Sequence, residues 1–425
     1  MRVALENVTA RLGLADLGPL GRDTLLLWGV QIYYRLSGVI VLMVLSRRLS
    51  PGDIGIYFFA LSVAESFVVL ANLSMDRVMM RRVASNPSHV SSYVSPLLGF
   101  RIWTSPAYLL CVFLASFFLA GSILPAIMIV ATATLAESLY FSIANIFIAL
   151  NKAVYNVTIG VTAQTLFLLV FLASMWWTPS LGAFLGANLI RSLTLLCAGA
   201  ILARRFLRGW KPTWNSAFLK EGAPFLLLTV IALMQERVDT LLLGWFAGFE
   251  AVAQYSLALR IISASTFIPS VMGTVFFPHI AADQIENKSR SIIMRGAALL
   301  AGIGLVAMTV GYIWAEPVTA LLYGRLSSVV AGLLRPLTLL FPVQFLAIFL
   351  TVALQALRRE KQALSAQAAG TAASVLLNVV LIPVFSIRGA ITAKLLSSSL
   401  QLLLLAGYLW PFISLPAPRS QSIGE

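Results

Sequence analysis

Apolar residues run in long stretches from one end of the chain to the other, separated by short polar connections. The runs fall near 24–46, 54–73, 94–119, 123–150, 155–175, 180–203, 223–244, 252–278, 292–315, 333–357, 362–386 and 389–411. A bilayer core about 30 Å thick is crossed by about 20 apolar residues in a helix, whereas a barrel strand needs about ten with alternating polarity. These runs are too long and too continuously apolar for strands. The pattern predicts an all-α polytopic membrane protein with about twelve transmembrane helices. The first run contains Arg35 and lacks a small-residue cleavage signature, so it is expected to remain in the protein rather than act as a removable leader.

Composition agrees: 59% of the 425 residues are hydrophobic and 11% charged, against about 25% charged in soluble domains. The net charge of +14 raises the possibility of nucleic acid, but the basic residues sit in short clusters between spans, without a continuous stripe or interleaved aromatics. Their distribution instead reports topology. The termini and even-numbered connections carry 19 Lys and Arg, the odd-numbered ones 5. Positive charge marks the cytoplasmic side, so both termini are expected there. Cys111 and Cys197 fall mid-span, where a thiol packs as a small hydrophobe, and neither a disulfide framework nor a metal site is implied.

The longest basic connection, RRFLRGWKPTWN from Arg204, divides the spans six and six. The expected organisation is a cytoplasmic segment (1–23), a six-helix lobe (24–203), a basic linker (204–222), a second six-helix lobe (223–411) and a cytoplasmic tail (412–425). VLSRRLSPGDIGIYFFAL from Val44 aligns with LLGWFAGFEAVAQYSLAL from Leu242, matching Tyr57 to Tyr255 and Leu61 to Leu259, and ALNKAVYN from Ala149 aligns with ALRREKQA from Ala356. Both matches keep nearly the same offset, which points to a duplicated six-helix unit. An even number of spans per unit makes the repeats parallel.

Ten ionisable residues lie within the spans: Arg35, Arg101, Arg191, Arg237, Arg260, Lys394, Glu65, Glu137, Glu236 and Asp239. Each costs about 2.5–3.5 kcal/mol near the bilayer centre. Left unpaired they would together exceed a typical folding stability of about 5–15 kcal/mol. Most must therefore pair or face water. Arg101 and Lys394 lie nearer span ends, where their stems can snorkel. Arg35, Glu65, Glu137 and Arg191 lie too deep for that. In the seventh span Glu236 and Asp239 are three apart and share a face, with Arg237 about 100° away, and Arg260 in the next span lies at the depth of Asp239, suggesting an Asp239–Arg260 pair. The intramembrane balance is net positive, as suits an anionic cargo, and arginine forks grip phosphate well. Pro106, Pro269 with Gly273, and Pro342 lie inside predicted spans and are candidates for bends that open a cavity.

No Walker A loop occurs, and His89 and His279 lie in predicted loops or at span ends, away from any metal-ligand cluster. The external connections are short; the longest, EPVTALLYGRLSSVVAGLL from Glu316, carries one acid and one Arg. A membrane glycosyltransferase or polymerase is disfavoured for want of an external catalytic loop.

RRLSPGDIGIY from Arg47, VDTLLLGWFAGFEAVAQYSLALRI from Val238, FIPSVMGTVFFPHIA from Phe267, LYG from Leu322 and LQALRREKQALSAQAAGTAASVLLNVVLIPVFSIRGAITA from Leu354 together resemble the polysaccharide transporter family. That family holds the O-antigen and exopolysaccharide flippases and belongs to the superfamily shared with multidrug and toxic compound extrusion (MATE) transporters. Ala253 departs from the pattern, which often has Gly there. The resemblance implies a non-enzymatic, multi-pass protein of the bacterial inner membrane. Its cargo would be an undecaprenyl-diphosphate-linked oligosaccharide, flipped by alternating access through a cationic cavity between two lobes. It also implies membrane lipids and other polysaccharide-assembly proteins as partners, no nucleic acid, and no cofactor beyond proton or sodium coupling. Arg35, Arg191 and Arg260 are then the expected substrate contacts, and Glu65, Glu137, Glu236, Arg237 and Asp239 the coupling or gating groups. The main rival is a MATE-type drug or cation antiporter, whose cavity should be acidic.

The charge distribution fixes an expected orientation. An impermeant thiol reagent added to intact cells should label an Arg325→Cys variant and not an Arg208→Cys variant; the reverse pattern would invert the topology.

Overall fold

The computed structural model describes residues 19–73, 75–85, 90–150, 152–205, 213, 216–281 and 286–414. Parts of the expected terminal segments and linker, namely 1–18, 206–212, 214–215 and 415–425, lie outside the described residues, as does His89. The described elements are α1 (Pro19–Arg48), α2 (Pro51–Asn72), α3 (Met75–Ser85), α4 (Val90–Ala120), α5 (Leu124–Ala149), α6 (Ala153–Trp177), α7 (Leu181–Ala203), α8 (Ser216–Phe246), α9 (Phe249–Ser265), α10 (Phe267–Ala281), α11 (Glu286–Ile313), α12 (Ala315–Tyr323), α13 (Ser327–Leu337), α14 (Leu340–Ala356) and α15 (Glu360–Ser414), with 3₁₀ turns at Gly121–Ile123 and Gly324–Leu326. No strand occurs among the described residues.

Ten helical stretches among the described residues are long and apolar enough to cross a bilayer. The last of them, within α15, contains two predicted spans. Ser386 breaks it with φ 51 and ψ −128, and the arms then run back along each other: Ser365 Oγ donates to Tyr408 Oη at 3.0 Å and Arg359 Nη1 to the Tyr408 carbonyl at 3.4 Å. Elsewhere the spans are subdivided. The predicted 252–278 span is α9 followed by α10, and the predicted 333–357 span is shared by α13 and α14. Pro269 and Pro342 each occupy the third position of a new helix, α10 and α14. The missing N–H is an orphan there in any case. Both prolines therefore begin helices instead of bending them mid-span. Pro106 remains inside α4 as expected.

Two connections that the sequence presents as loops are folded. Between α2 and α4, MDRVMMRRVAS forms α3, whose Met75, Val78, Met79 and Val83 are all at most 1% exposed and join a core with Leu97, Phe100 and Phe147. Their spacing is that of one helix face. The predicted external loop from Glu316 is mostly α12 and α13, and Tyr323 of its LYG segment is buried, donating to the Leu257 carbonyl at 3.0 Å.

Packing divides the chain into two compact units: Met1–Leu49 with Ala60–Thr229, and Ser50–Phe59 with Val230–Glu425. The division falls within α8 and not in the 204–222 linker. Within the second unit, the segments quoted above as internally similar meet. Ser50 Oγ accepts from the Asp53 N–H at 3.1 Å and so caps α2, Pro51 follows at the first helical position, and Gly55 then crosses the start of α9. A β-carbon at Gly55 would overlap the Phe249 carbonyl group, and the Phe59 ring lies 5.4 Å from that of Phe249.

Because the obstacle at Gly55 is backbone, it has no rotamer to yield. Gly55→Val should lose about 1–3 kcal/mol or more of stability, read as a lower melting temperature of the purified protein. Gly52→Val is the control, since its nearest neighbour is Ser50 Oγ at 3.8 Å.

Candidate functional site

The first unit holds a polar and aromatic cluster built from α1, α5, α6 and α7. On α7, Asn188, Arg191 and Ser192 lie at i, i+3 and i+4 and so face one way. Arg191 donates to Glu137 Oε1 on α5 and, through Nη2, to Asn188 Oδ1 at 3.2 Å. Ser192 Oγ donates to the same Glu137 oxygen at 2.7 Å. The guanidinium of Arg191 also stands 5.6 Å from the centre of the Phe167 ring of α6, within range of a cation–π attraction. From α1, Tyr33 Oη and Thr165 Oγ1 are 2.8 Å apart. Tyr34 is admitted because Gly160 on α6 has no side chain: a β-carbon there would overlap the Tyr34 hydroxyl. Nearby, Tyr140 Oη is 2.7 Å from Asn156 Oδ1. The Arg191 and Glu137 side chains remain 21% and 38% exposed, so the pair has partners and is not sealed in the core.

The second unit holds a different kind of site. Asp239 on α8 is fully buried. Its Oδ2 accepts from Tyr255 Oη at 2.7 Å and from Lys394 Nζ at 3.1 Å, and Oδ1 accepts from the Thr240 N–H at 2.8 Å. Lys394 donates as well to the Gln235 carbonyl at 3.0 Å, and Gln235 Nε2 donates to Gln401 Oε1 at 2.7 Å. This cluster ties α8 and α9 to the second arm of α15.

These contacts correct several expectations. Asp239 pairs with Lys394 and not with Arg260. Tyr255 and Arg260 are five residues apart on α9, a turn of about 140° around the helix, so when Tyr255 faces Asp239, Arg260 points elsewhere. Arg260 is exposed and stands 5.6 Å from the Phe58 ring. Glu236 and Asp239 do not share an environment: the Glu236 side chain is 67% exposed, and its ion pair is a loose one with Arg237 at 3.9 Å. The residue sharing the face of Asp239 is Gln235, at i−4. Neither Lys394 nor Arg101 snorkels. Arg101 is 3% exposed and donates to Asp76 Oδ2 at 3.3 Å and to Ser142 Oγ at 2.6 Å. Arg35 lies exposed on α1, and Glu65 is half-buried on α2.

Residues absent from the sequence-based candidate set include Tyr33, Tyr34, Phe167, Asn188, Tyr255 and Gln235. The i, i+3, i+4 spacing of Asn188, Arg191 and Ser192 was visible as a polar stripe. The tyrosines carried no comparable signal, because an aromatic ring in a span reads as core.

With this geometry in place, similarity to known proteins adds context. A probable flippase, AglR, of Haloferax volcanii is 30% identical over 170 residues, 38% of this chain and 35% of the relative. The match thus spans about a third of that relative's length. The structure of lipid II flippase MurJ in an inward closed conformation matches 90% of this chain and 86% of its own, with TM-score 0.67 and 12% identity. An inward-facing multidrug resistance MATE family transporter of the MOP superfamily matches 89% and 94%, with TM-score 0.68 and 11% identity. At these identities the likeness is one of fold. At the level of family, the polysaccharide biosynthesis protein model matches residues 20–284, more than half the chain, and the chain belongs to that family.

Proposed function

We propose that this protein is a flippase that moves an undecaprenyl-diphosphate-linked oligosaccharide across the bacterial inner membrane for O-antigen, capsule or exopolysaccharide synthesis. The observation that carries the reading is Arg191, deep within α7, held over Phe167 and against Glu137 and Asn188 yet still partly exposed. A static structural cation in a membrane is buried against a counter-charge, as Arg101 is here against Asp76, beside Ser142. A cation kept open beside aromatic rings suits a cargo with phosphate oxygens for the guanidinium and sugar faces for the rings. Family membership and the partial match to a probable flippase support the same reading.

In this scheme Arg191 and Arg35 of the first unit contact the diphosphate or sugars while the lipid tail stays in the bilayer, and Arg260, beside Phe58 in the second unit, is assigned a cargo contact of its own. Access alternates between the two sides. Glu137 and Asp239 are the carboxylates best placed for proton or sodium coupling, since each is bonded to a cation that it would release or retain on changing charge. Glu65, Glu236 and Arg237 are assigned gating at most. Within a polysaccharide assembly line the protein would meet other membrane assembly proteins. The competing reading, a MATE-type antiporter, draws on the half-exposed Glu137 carboxylate and on the fold likeness. In that case Glu137 would hold a cationic drug and Arg191 would oppose it.

The two readings predict opposite signs at one position. If the cargo is anionic, Arg191→Ala should reduce glycan export about ten- to hundredfold, the factor for one hydrogen bond to a charged group of about 1.5–3 kcal/mol, with Arg191→Lys partly restoring it. Export of a cationic dye should not rise. Surface glycan staining in a complementation strain, normalised to membrane protein level, reads the first quantity, and normal export by Arg191→Ala would sink the proposal.

The Asp239–Lys394 pair tests coupling separately from structure. Lys394→Met alone leaves a buried carboxylate without its cation and should cost about 3–5 kcal/mol. The double variant Asp239→Asn, Lys394→Met should regain most of that loss in thermal denaturation. Restored export in the double variant would make the pair structural; restored stability without export would place it in coupling.

A further inference from the structure

A groove in the second unit, remote in sequence from the residues assigned to cargo, has the features of a lipid site. It is a cavity of about 430 Å³ lined chiefly by Met308, Tyr312 and Ile313 of α11, Arg335 and Pro336 of α13, and Leu339 of the turn that follows. Volumes of about 300–1,000 Å³ are those of ligand sites. Its cause is the break between α13 and α14. Thr338 Oγ1 turns back to the Arg335 carbonyl at 2.6 Å, and Leu339 emerges half exposed from that turn.

The position of the groove follows from the length of α11. The apolar stretch Ser289–Ile313 spans 25 residues, and Tyr312 and Trp314 at its end are 56% and 59% exposed. Exposed Trp and Tyr at a span end mark the headgroup level. From Met308 to Ile313 the helix rises about 7.5 Å. The groove therefore starts among acyl chains and opens where headgroups lie.

Arg335 is the charged residue of its lining, beside the hydroxyl-bearing Thr309, Tyr312 and Thr338. Arg335 Nη2 lies 3.5 Å from Glu316 Oε2, and these side chains are 45% and 66% exposed. An ion pair so exposed is weak and exchanges readily for another anion. A guanidinium is shaped to grip two oxygens of one phosphate. Glu316 competes for the guanidinium, and a phosphodiester that displaces it brings the same single charge. A diphosphate would bring more charge against the same carboxylate.

We propose that this groove binds an anionic phospholipid, with one acyl chain along Met308, Ile313 and Leu339 and the phosphodiester on Arg335. The site depends on membrane insertion and not on the cargo assigned above, so its test makes no use of export. The purified full-length protein is placed in phosphatidylcholine nanodiscs doped with phosphatidylglycerol carrying a photoreactive acyl chain, or with phosphatidylcholine carrying the same chain, and cross-linked peptides are mapped. The phosphatidylglycerol probe should label the Met308–Ile313 and Leu339 regions about fivefold more than the phosphatidylcholine probe, the factor for one cationic side chain at about 1 kcal/mol. Arg335→Gln should remove that preference, Arg335→Lys should keep part of it, Glu316→Gln should increase it, and Leu339→Trp should reduce labelling by both probes. Equal labelling by the two probes in the unaltered protein, or a preference that survives Arg335→Gln in folded protein, overturns the proposal. So does displacement of the label by a polyprenyl diphosphate at lower concentration than by unlabelled phosphatidylglycerol, which would give the groove to the lipid carrier.

Discussion

An ion in hydrocarbon must find a counter-charge or water, and this constraint organises both units. Three ion pairs meet it in different ways. Asp76–Arg101 and Asp239–Lys394 are buried and surrounded by further donors and acceptors, serine oxygens around Arg101 and Tyr255, Thr240 and Gln235 around Asp239 and Lys394. Each adds a polar link between helices whose apolar contacts drive little association where the solvent is itself apolar. Asp76 and Arg101 bring α3 and α4 together and Ser138 and Ser142 add α5. Glu137–Arg191 is the exception. Its side chains stay partly exposed, and it is this open pair that the proposed flippase reading assigns to the cargo.

Close backbone approach does the rest of the positioning. Gly160 lets the Tyr34 phenol lie against α6, and Gly55 lets the start of α2 cross that of α9. Neither glycine is needed for its own helix, where glycine costs about 1 kcal/mol relative to alanine. Each is explained by what passes over it. One ring in each unit stands 5.6 Å from a guanidinium, Phe167 from that of Arg191 and Phe58 from that of Arg260. Cation and ring thus recur in both units.

The apolar runs were legible because length and continuity are properties of the chain alone. A helix of about 20 apolar residues in lipid satisfies its backbone internally whatever its neighbours do. The fold class, the family resemblance carried by RRLSPGDIGIY and LYG, and the mid-depth placement of Glu137 and Arg191 followed directly. Local caps were legible too: Ser50 before Pro51, and Ser180, whose Oγ accepts from the Ala183 N–H at 3.2 Å. The subdivision of spans was harder to read. Pro269 inside an unbroken apolar run looks like a kink, and only the turn at Thr266 shows that it opens a new helix.

Partnership between charges was decided by tertiary structure. Equal depth made Arg260 the expected partner of Asp239, but a pair also requires facing directions, and those depend on the rotation of each helix about its axis. Packing sets that rotation. Tyr255 took the face of α9 toward Asp239, and the reversal at Ser386 brought Lys394 from a distant part of the chain to the same carboxylate. The same reason separates Glu236, turned outward, from Asp239, three residues on and fully buried. The chain by itself determined which stretches are long and apolar enough to form spanning helices, because each helix satisfies its own backbone whatever surrounds it. Which residues meet there was settled only when helices packed, since a contact belongs to two surfaces and one sequence segment specifies just one of them.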